Sequence, residues 1–257
     1  MRRALSWLGL LLLVASAVGL HFSRGPAGPA RTVAAPAVLK HESLSLVILD
    51  AGHGGQDSGA MCGTVLEKDL TLDVAKRADR LLRAQGFRTV LTRSDDTYIS
   101  LEERTTIANK QNDAVFVSVH FNRAKPERAS GVETYYAARQ ILSAPSPWAW
   151  LAFVQPVKLP GLNDGSQSLA GFIQDALVAR TQAVNRGTKQ EQFYVIANVW
   201  HPAALVEGGF MTNKSDAGKL ANGNYREQLA TAISEGVVRY RELNRQKART
   251  LASVGPE

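Results

Sequence analysis

Hydrophobic and polar positions fall into two recurring patterns along this chain. Near-continuous apolar runs at Leu44–Asp50 (LSLVILD) and Ala114–His120 (AVFVSVH) predict strands buried on both faces. Phe87–Thr92, Val132–Tyr136, Phe193–Ile196 and Ala203–Glu207 predict further strands. Between them the apolar spacing becomes helical. Leu66–Gln85 places Leu70, Val74, Ala78 and Leu81 on one face, and Gly86 supplies a stop. Ser100-Leu101-Glu102-Glu103 is a capping box, so a helix is expected from Leu101 to Lys110. Ser168 to about Val184 and Tyr225 to about Leu243 read as helices, with a loose tail after Gln246. Strands alternating with helices predict an α/β fold: a single domain with a twisted, mostly parallel sheet and helices on both faces.

The N-terminus departs from this pattern. Met1-Arg2-Arg3 is followed by an uncharged stretch from Ala4 to Leu20, with Ala15-Ser16-Ala17 as a cleavage-type sequence. Residues 1–20 are expected to be a signal peptide, or else an N-terminal anchor to the membrane. Residues 21–43 are rich in Ala, Pro and Gly and read as a linker. The folded domain is expected over 44–246, with an irregular, Pro-rich insertion at 141–167 and a tail at 247–257. An exported, periplasmic location follows, the alternative being the outer face of the cytoplasmic membrane.

Composition narrows the chemistry. The single cysteine, Cys62, excludes an internal disulfide framework and a Cys-rich zinc module. Five histidines leave room for a His-based metal site. The net charge of +7 suits an anionic partner such as an acidic wall polymer. Basic residues are scattered rather than interleaved with aromatics, so no nucleic-acid partner is expected.

Ligands of open α/β sheets gather beyond the carboxyl ends of the strands. Three candidate groups map there. His53 follows the first strand in Asp50-Ala-Gly-His-Gly-Gly, His120 ends the third, and Glu207 ends Ala203–Glu207. Glu67, between the Gly-rich turn and the first helix, faces the same edge. Two imidazoles and a carboxylate with one open position suit a catalytic zinc ion. A second, non-ligating carboxylate then serves as general base and acid, and Glu207 is the natural choice. The glycines Gly208 and Gly209 beside it leave room for a substrate backbone. Each residue also has a plainer reading: rim histidines, a helix-start carboxylate, a turn before Gly-Gly. A phosphate loop fits poorly, because the Gly-rich turn lacks Lys-Ser/Thr and the G-x-G-x-x-G spacing. Asp50 either orients a ligand imidazole or bonds turn amides. Asn185-Arg186 either contacts substrate carboxylates or forms a helix-end turn with Arg on the surface.

From Leu46 to about Leu243 the chain resembles the zinc-dependent N-acetylmuramoyl-L-alanine amidases of type 3, a cell-wall hydrolase family. The stretches that carry the resemblance are VILDAGHGGQDSGA (47–60), LEKDLTL (66–72), TRSDDTYISLEERTTIAN (92–109), AVFVSVHFN (114–122), GVETYY (131–136), NRGTKQEQFYVI (185–196) and ALVEGGFMTN (204–213). The resemblance implies one Zn2+ held by His53, Glu67 and His120, with Glu207 catalytic. It implies peptidoglycan as the partner and hydrolysis of the amide between N-acetylmuramic acid and L-alanine. Departures are Ser58, Phe121-Asn122-Arg123, Gly208-Gly209 and the nearby Cys62; none removes a ligand. Some relatives carry an inserted blocking helix lifted by an activator protein, and 141–167 falls where such an insertion lies. The competing expectations are another zinc peptidase acting on stem peptides and a non-catalytic wall-binding protein of the same fold.

Overall fold

The computed structural model describes residues 44–125, 128–139 and 162–253, all within one unit, His41–Glu257. The expected signal, linker and most of the insertion (141–161) lie outside the described residues. Among the described residues no helix is long and apolar enough to cross a membrane.

A six-stranded sheet organises the chain. Its strands are β1 (Leu46–Ala51), β4 (Arg88–Leu91), β5 (Ala114–Asn122), β6 (Val132–Tyr136), β7 (Asn185–Gln190) and β8 (Ala203–Phe210). A separate hairpin pairs β2 (Met61–Cys62) with β3 (Val65–Leu66). The spatial order is β4-β1-β5-β8-β6-β7. The first four strands run parallel, β6 runs antiparallel to β8, and β7 is parallel to β6. The mostly parallel sheet expected from the alternating pattern is therefore present.

The alternation of side chains along each strand divides the core in two. On one face Val47, Leu49, Val117, Val119 and Val206 pack under α1 (Glu67–Ala84), α3 (Leu162–Thr181) and α6 (Gly223–Ser253). On the other, Ile48, Phe116 and Leu205 pack under α2 (Leu101–Asn109) and α4 (Tyr194–Ala197). α1 buries Leu70, Val74, Ala78 and Leu82, one helical stripe. It ends before Gly86, which sits at φ +80, a conformation that costs glycine least. The Ser100 capping box forms as its sequence requires.

Five elements depart from expectation. Phe193–Ile196 is not a strand: Phe193 is the extended residue before the one-turn helix α4. Asn185–Gln190 is a strand, with no apolar alternation to announce it. α5 (Lys214–Ala221) begins at Asn213, whose side chain accepts from the Ser215 and Asp216 amides. α3 already starts at Leu162, inside the expected insertion, and α6 continues through Ser253, so residues 247–253 of the expected tail are helical.

Candidate active site

The polar residues of one sheet face stand in a row at its carboxyl edge. Asp50 of β1 is opposite Ser118 of β5, His120 is opposite Glu207 of β8, and Glu207 is opposite Glu133 of β6. Because cross-strand partners point to the same face, His120, Glu207 and Glu133 project side by side. Just after His120 the β5–β8 register shifts, a local irregularity that re-aims the end of the strand.

Glu67 opens α1 and reaches this row from the other side of the Gly-rich turn. Its Oε1 lies 3.0 Å from His53 Nε2 and 3.1 Å from His120 Nδ1. It also accepts from the Phe121 amide through Oε1 (3.0 Å) and from the Ala60 amide through Oε2 (2.7 Å). The two imidazole rings meet edge to face with centroids 4.9 Å apart. One donor atom from each of His53, Glu67 and His120 lies within 4.8 Å of the others.

Glycines shape the space around them. A Cβ on Gly52 would overlap the His120 ring, and one on Gly59, at φ +65, would press on Glu67 Oε2 and His53 Cδ2 at 2.6 Å each. His53 itself adopts φ +61, an uncommon conformation for a residue with a side chain. It is held there from behind by two buried arginines. Arg104 donates to the Ala51 and His53 carbonyls, each at 2.6 Å. Arg93 donates to the carbonyls of Ala51 (3.0 Å), Gly52 (2.8 Å) and Lys68 (2.8 Å). The strain of one residue persists because its neighbours fix the backbone on both sides.

The electrostatics suit a cation. His53 donates through Nδ1 to Asp57 Oδ2 (2.8 Å) while Nε2 faces Glu67, so carboxylates flank both ring nitrogens. Burial works against charging the ring, but Glu67 and Asp57 outweigh it and raise the His53 pKa. Burial likewise opposes charge on Glu67, yet the hydrogen bonds from His120 and His53 hold its carboxyl far below the usual range. Two imidazole nitrogens sharing one ionised oxygen are an arrangement in which a divalent cation replaces ring protons. The donor set and its spacing therefore fit such an ion.

Glu207 behaves in the opposite way. Its Oε2 is shut off from solvent and has no hydrogen-bond partner among the described residues. Shielding from water, then the negative charges of Glu67 and Glu133, push its carboxyl well above the usual range, with Lys189 acting in the other direction.

A family model described as N-acetylmuramoyl-L-alanine amidase matches residues 47–239. The chain belongs to the N-acetylmuramoyl-L-alanine amidase family. This amidase is 38% identical over 194 residues to the amidase LytC of Bacillus subtilis, covering 76% of its own length and 35% of LytC's. The crystal structure of the amidase of Clostridium difficile 630 superposes with a TM-score of 0.66 at 34% identity, covering 78% of this chain and 98% of that one. The CwlD amidase of Clostridioides difficile, solved in complex with the lipoprotein GerS, gives a TM-score of 0.66 at 26% identity, covering 77% and 99%.

Some sequence expectations for the amidase are corrected by the geometry. Asp50 touches no imidazole. It accepts from Arg104 (2.7 Å), Thr92 (2.7 Å) and Ser118 (2.7 Å), and Asp57 bonds His53 instead. Gly208 leaves no room for substrate: a Cβ there would lie 2.8 Å from Phe121 and 3.0 Å from Leu229, so its smallness serves core packing. Arg186 is not in a helix-end turn; it lies on β7 and bonds Glu133. Asp57, Glu133, Arg93 and Arg104 escape the sequence reading. For Asp57 a signal existed, since it stands four residues after His53 in the same turn.

Proposed function

We propose that this amidase hydrolyses the amide joining the lactyl carbonyl of N-acetylmuramic acid to L-alanine of the peptidoglycan stem, with zinc as its metal. His53 Nε2, Glu67 Oε1 and His120 Nδ1 would hold the ion, and Glu207 would move the proton. The observation that carries this reading is the pairing of three clustered donors with the shielded, unpartnered oxygen of Glu207 in the adjacent register position.

When bound, zinc would acidify water and polarise the scissile carbonyl. The chain's own residues do the rest. Glu207 Oε2 takes a proton from the water whose oxygen attacks the carbonyl carbon, and returns it to the alanine nitrogen as the C–N bond breaks. Its raised affinity for a proton suits the second half of that cycle. Asp57 fixes the His53 ring so that Nε2 points inward, and the Ala60 and Phe121 amides hold Glu67.

Mass spectrometry of digested muropeptides tests the reaction. Intact stem peptides beginning with L-alanine are the expected product, with glycan strands left whole, and a chelator is expected to abolish their release. Cleavage inside the stem would identify a peptidase, and binding to sacculi without release would identify a wall-binding protein. A second test concerns the glycine beneath His120. Gly52→Ala is expected to weaken zinc binding by about tenfold or more, because the ring must move. Calorimetric titration of the folded variant with zinc measures this.

The polymer lies outside the cytoplasmic membrane. We therefore assign residues 1–20 to export or anchoring, residues 21–43 to a linker, and a periplasmic site of action to the domain that begins at residue 44. A wall-bound or membrane-bound activator protein is a fitting partner, given the lipoprotein seen with CwlD.

A further inference from the structure

Glu133 is the charged residue of the row for which the reaction above has no use. It is only 1% exposed, yet it accepts four hydrogen bonds. Asn122 Nδ2 and Tyr135 OH reach Oε1, each at 2.6 Å. Arg186 Nε (2.6 Å) and Lys189 Nζ (2.5 Å) both reach Oε2. Burial works against its charge, but Lys189, Tyr135 and Arg186 outweigh it and keep the Glu133 carboxyl below the usual range.

The two cations are in excess of the one carboxylate they share. Arg186 and Lys189 side chains are 33% and 37% exposed, so both also face solvent. Each uses one N–H on Glu133, and among the described residues neither makes another hydrogen bond. Arg186 has five N–H donors and Lys189 three, so most remain unused. Aromatic rings pin both: Arg186 lies 4.9 Å over Phe210, and Lys189 lies 5.6 Å over Tyr135. Long basic side chains at a surface ordinarily lose rotamer freedom when they bind an anion. Here a buried carboxylate on β6, one strand beyond Glu207, has already fixed these two residues of the neighbouring strand β7.

We propose that Arg186 and Lys189, held in place by Glu133, form a subsite for a free carboxylate of the stem peptide close to the scissile amide. The inference rests on the amide hydrolysis proposed above and names how that substrate is recognised. A guanidinium fork with free N–H groups suits a carboxylate bidentately, whereas the carboxamide of an amidated stem offers no charge. Glu133 is a positioning residue in this scheme, and Arg186 and Lys189 determine specificity.

The test uses two synthetic muramoyl-peptides that differ only in the residue after L-alanine, which carries a free carboxylate in one and its amide in the other. With the zinc-loaded enzyme, the free acid is expected to have the lower KM, by about 10- to 100-fold, with similar kcat. Arg186→Gln and Lys189→Gln are expected to raise KM for the acid more than for the amide, whatever common change in kcat the loss of the Lys189 charge near Glu207 brings to both. Equal KM values for the two substrates on the unaltered enzyme would overturn the subsite while leaving the hydrolysis intact. So would equal losses on both substrates in the variants. Cleavage of neither substrate at the muramoyl amide would overturn the reaction itself, and the subsite with it. The unaltered enzyme decides between acid and amide even if Arg186→Gln fails to fold.

Discussion

Glu207→Gln is expected to lower turnover on purified peptidoglycan by about 10²–10⁴, the usual cost of losing general acid–base help. Glutamine keeps the shape of the side chain but neither takes nor gives up a proton. Glu207 is also outside the clustered donor trio, so metal content measured on the same preparation is expected to match the parent. That combination separates a proton-transfer role from a ligand role. A variant with near-parental turnover would remove Glu207 from the reaction, and a variant lacking zinc would move it among the ligands.

Asp50→Asn is expected to cost about 3–5 kcal/mol of folding stability, the range found when one partner of a buried ion pair is removed. Asp50 is fully buried, and Arg104 opposite it is nearly so. The substitution leaves the guanidinium in the interior without its counter-charge, and an amide cannot accept from Arg104, Thr92 and Ser118 as the carboxylate does. Chemical denaturation at neutral pH measures the loss. The same residue predicts an acid limb. Burial raises the Asp50 pKa, but the charge of Arg104 and the hydrogen bonds from Ser118, Thr92 and Arg104 outweigh it, so the folded value lies below the ordinary one. A depressed carboxylate contributes its full stabilisation above the unfolded-state pKa of about 3.9 and loses it as pH falls toward the folded value. Parent stability is therefore expected to fall below about pH 5, and the Asp50→Asn variant to lack this component.

Both predictions concern residues whose legibility in the sequence differs. The positions of His53, His120 and Glu207 are readable because strand ends in a parallel sheet converge and β1, β5 and β8 carry apolar runs that mark those ends, and that of Glu67 because it opens the helix after the Gly-rich turn. The role of Arg104 is not readable. Its helix has a weak apolar stripe, and burial of a charge depends on partners such as Asp50, 54 residues away. Glu133 is hidden for the same reason: its cations sit on β7, a mostly exposed edge strand built from Asn-Arg-Gly-Thr-Lys-Gln with no alternation to detect. Phe193–Ile196 misleads in the other direction. Four apolar residues fit a strand or a helical turn equally, and packing of Val195 and Ile196 on the face below decides for the turn. The Gly-Gly pair after Glu207 looks like space for substrate, but Phe121 and Leu229 already occupy the space beside Gly208.

The backbone around His53 is locked by Arg93 and Arg104, protein groups that need no ion to hold it. A newly made polypeptide, with residues 53, 67 and 120 still strung out along the thread, has no grip on a trace metal. Only the finished fold gathers those three donors within 4.8 Å of one another, so any ion they hold must arrive after the chain has taken shape.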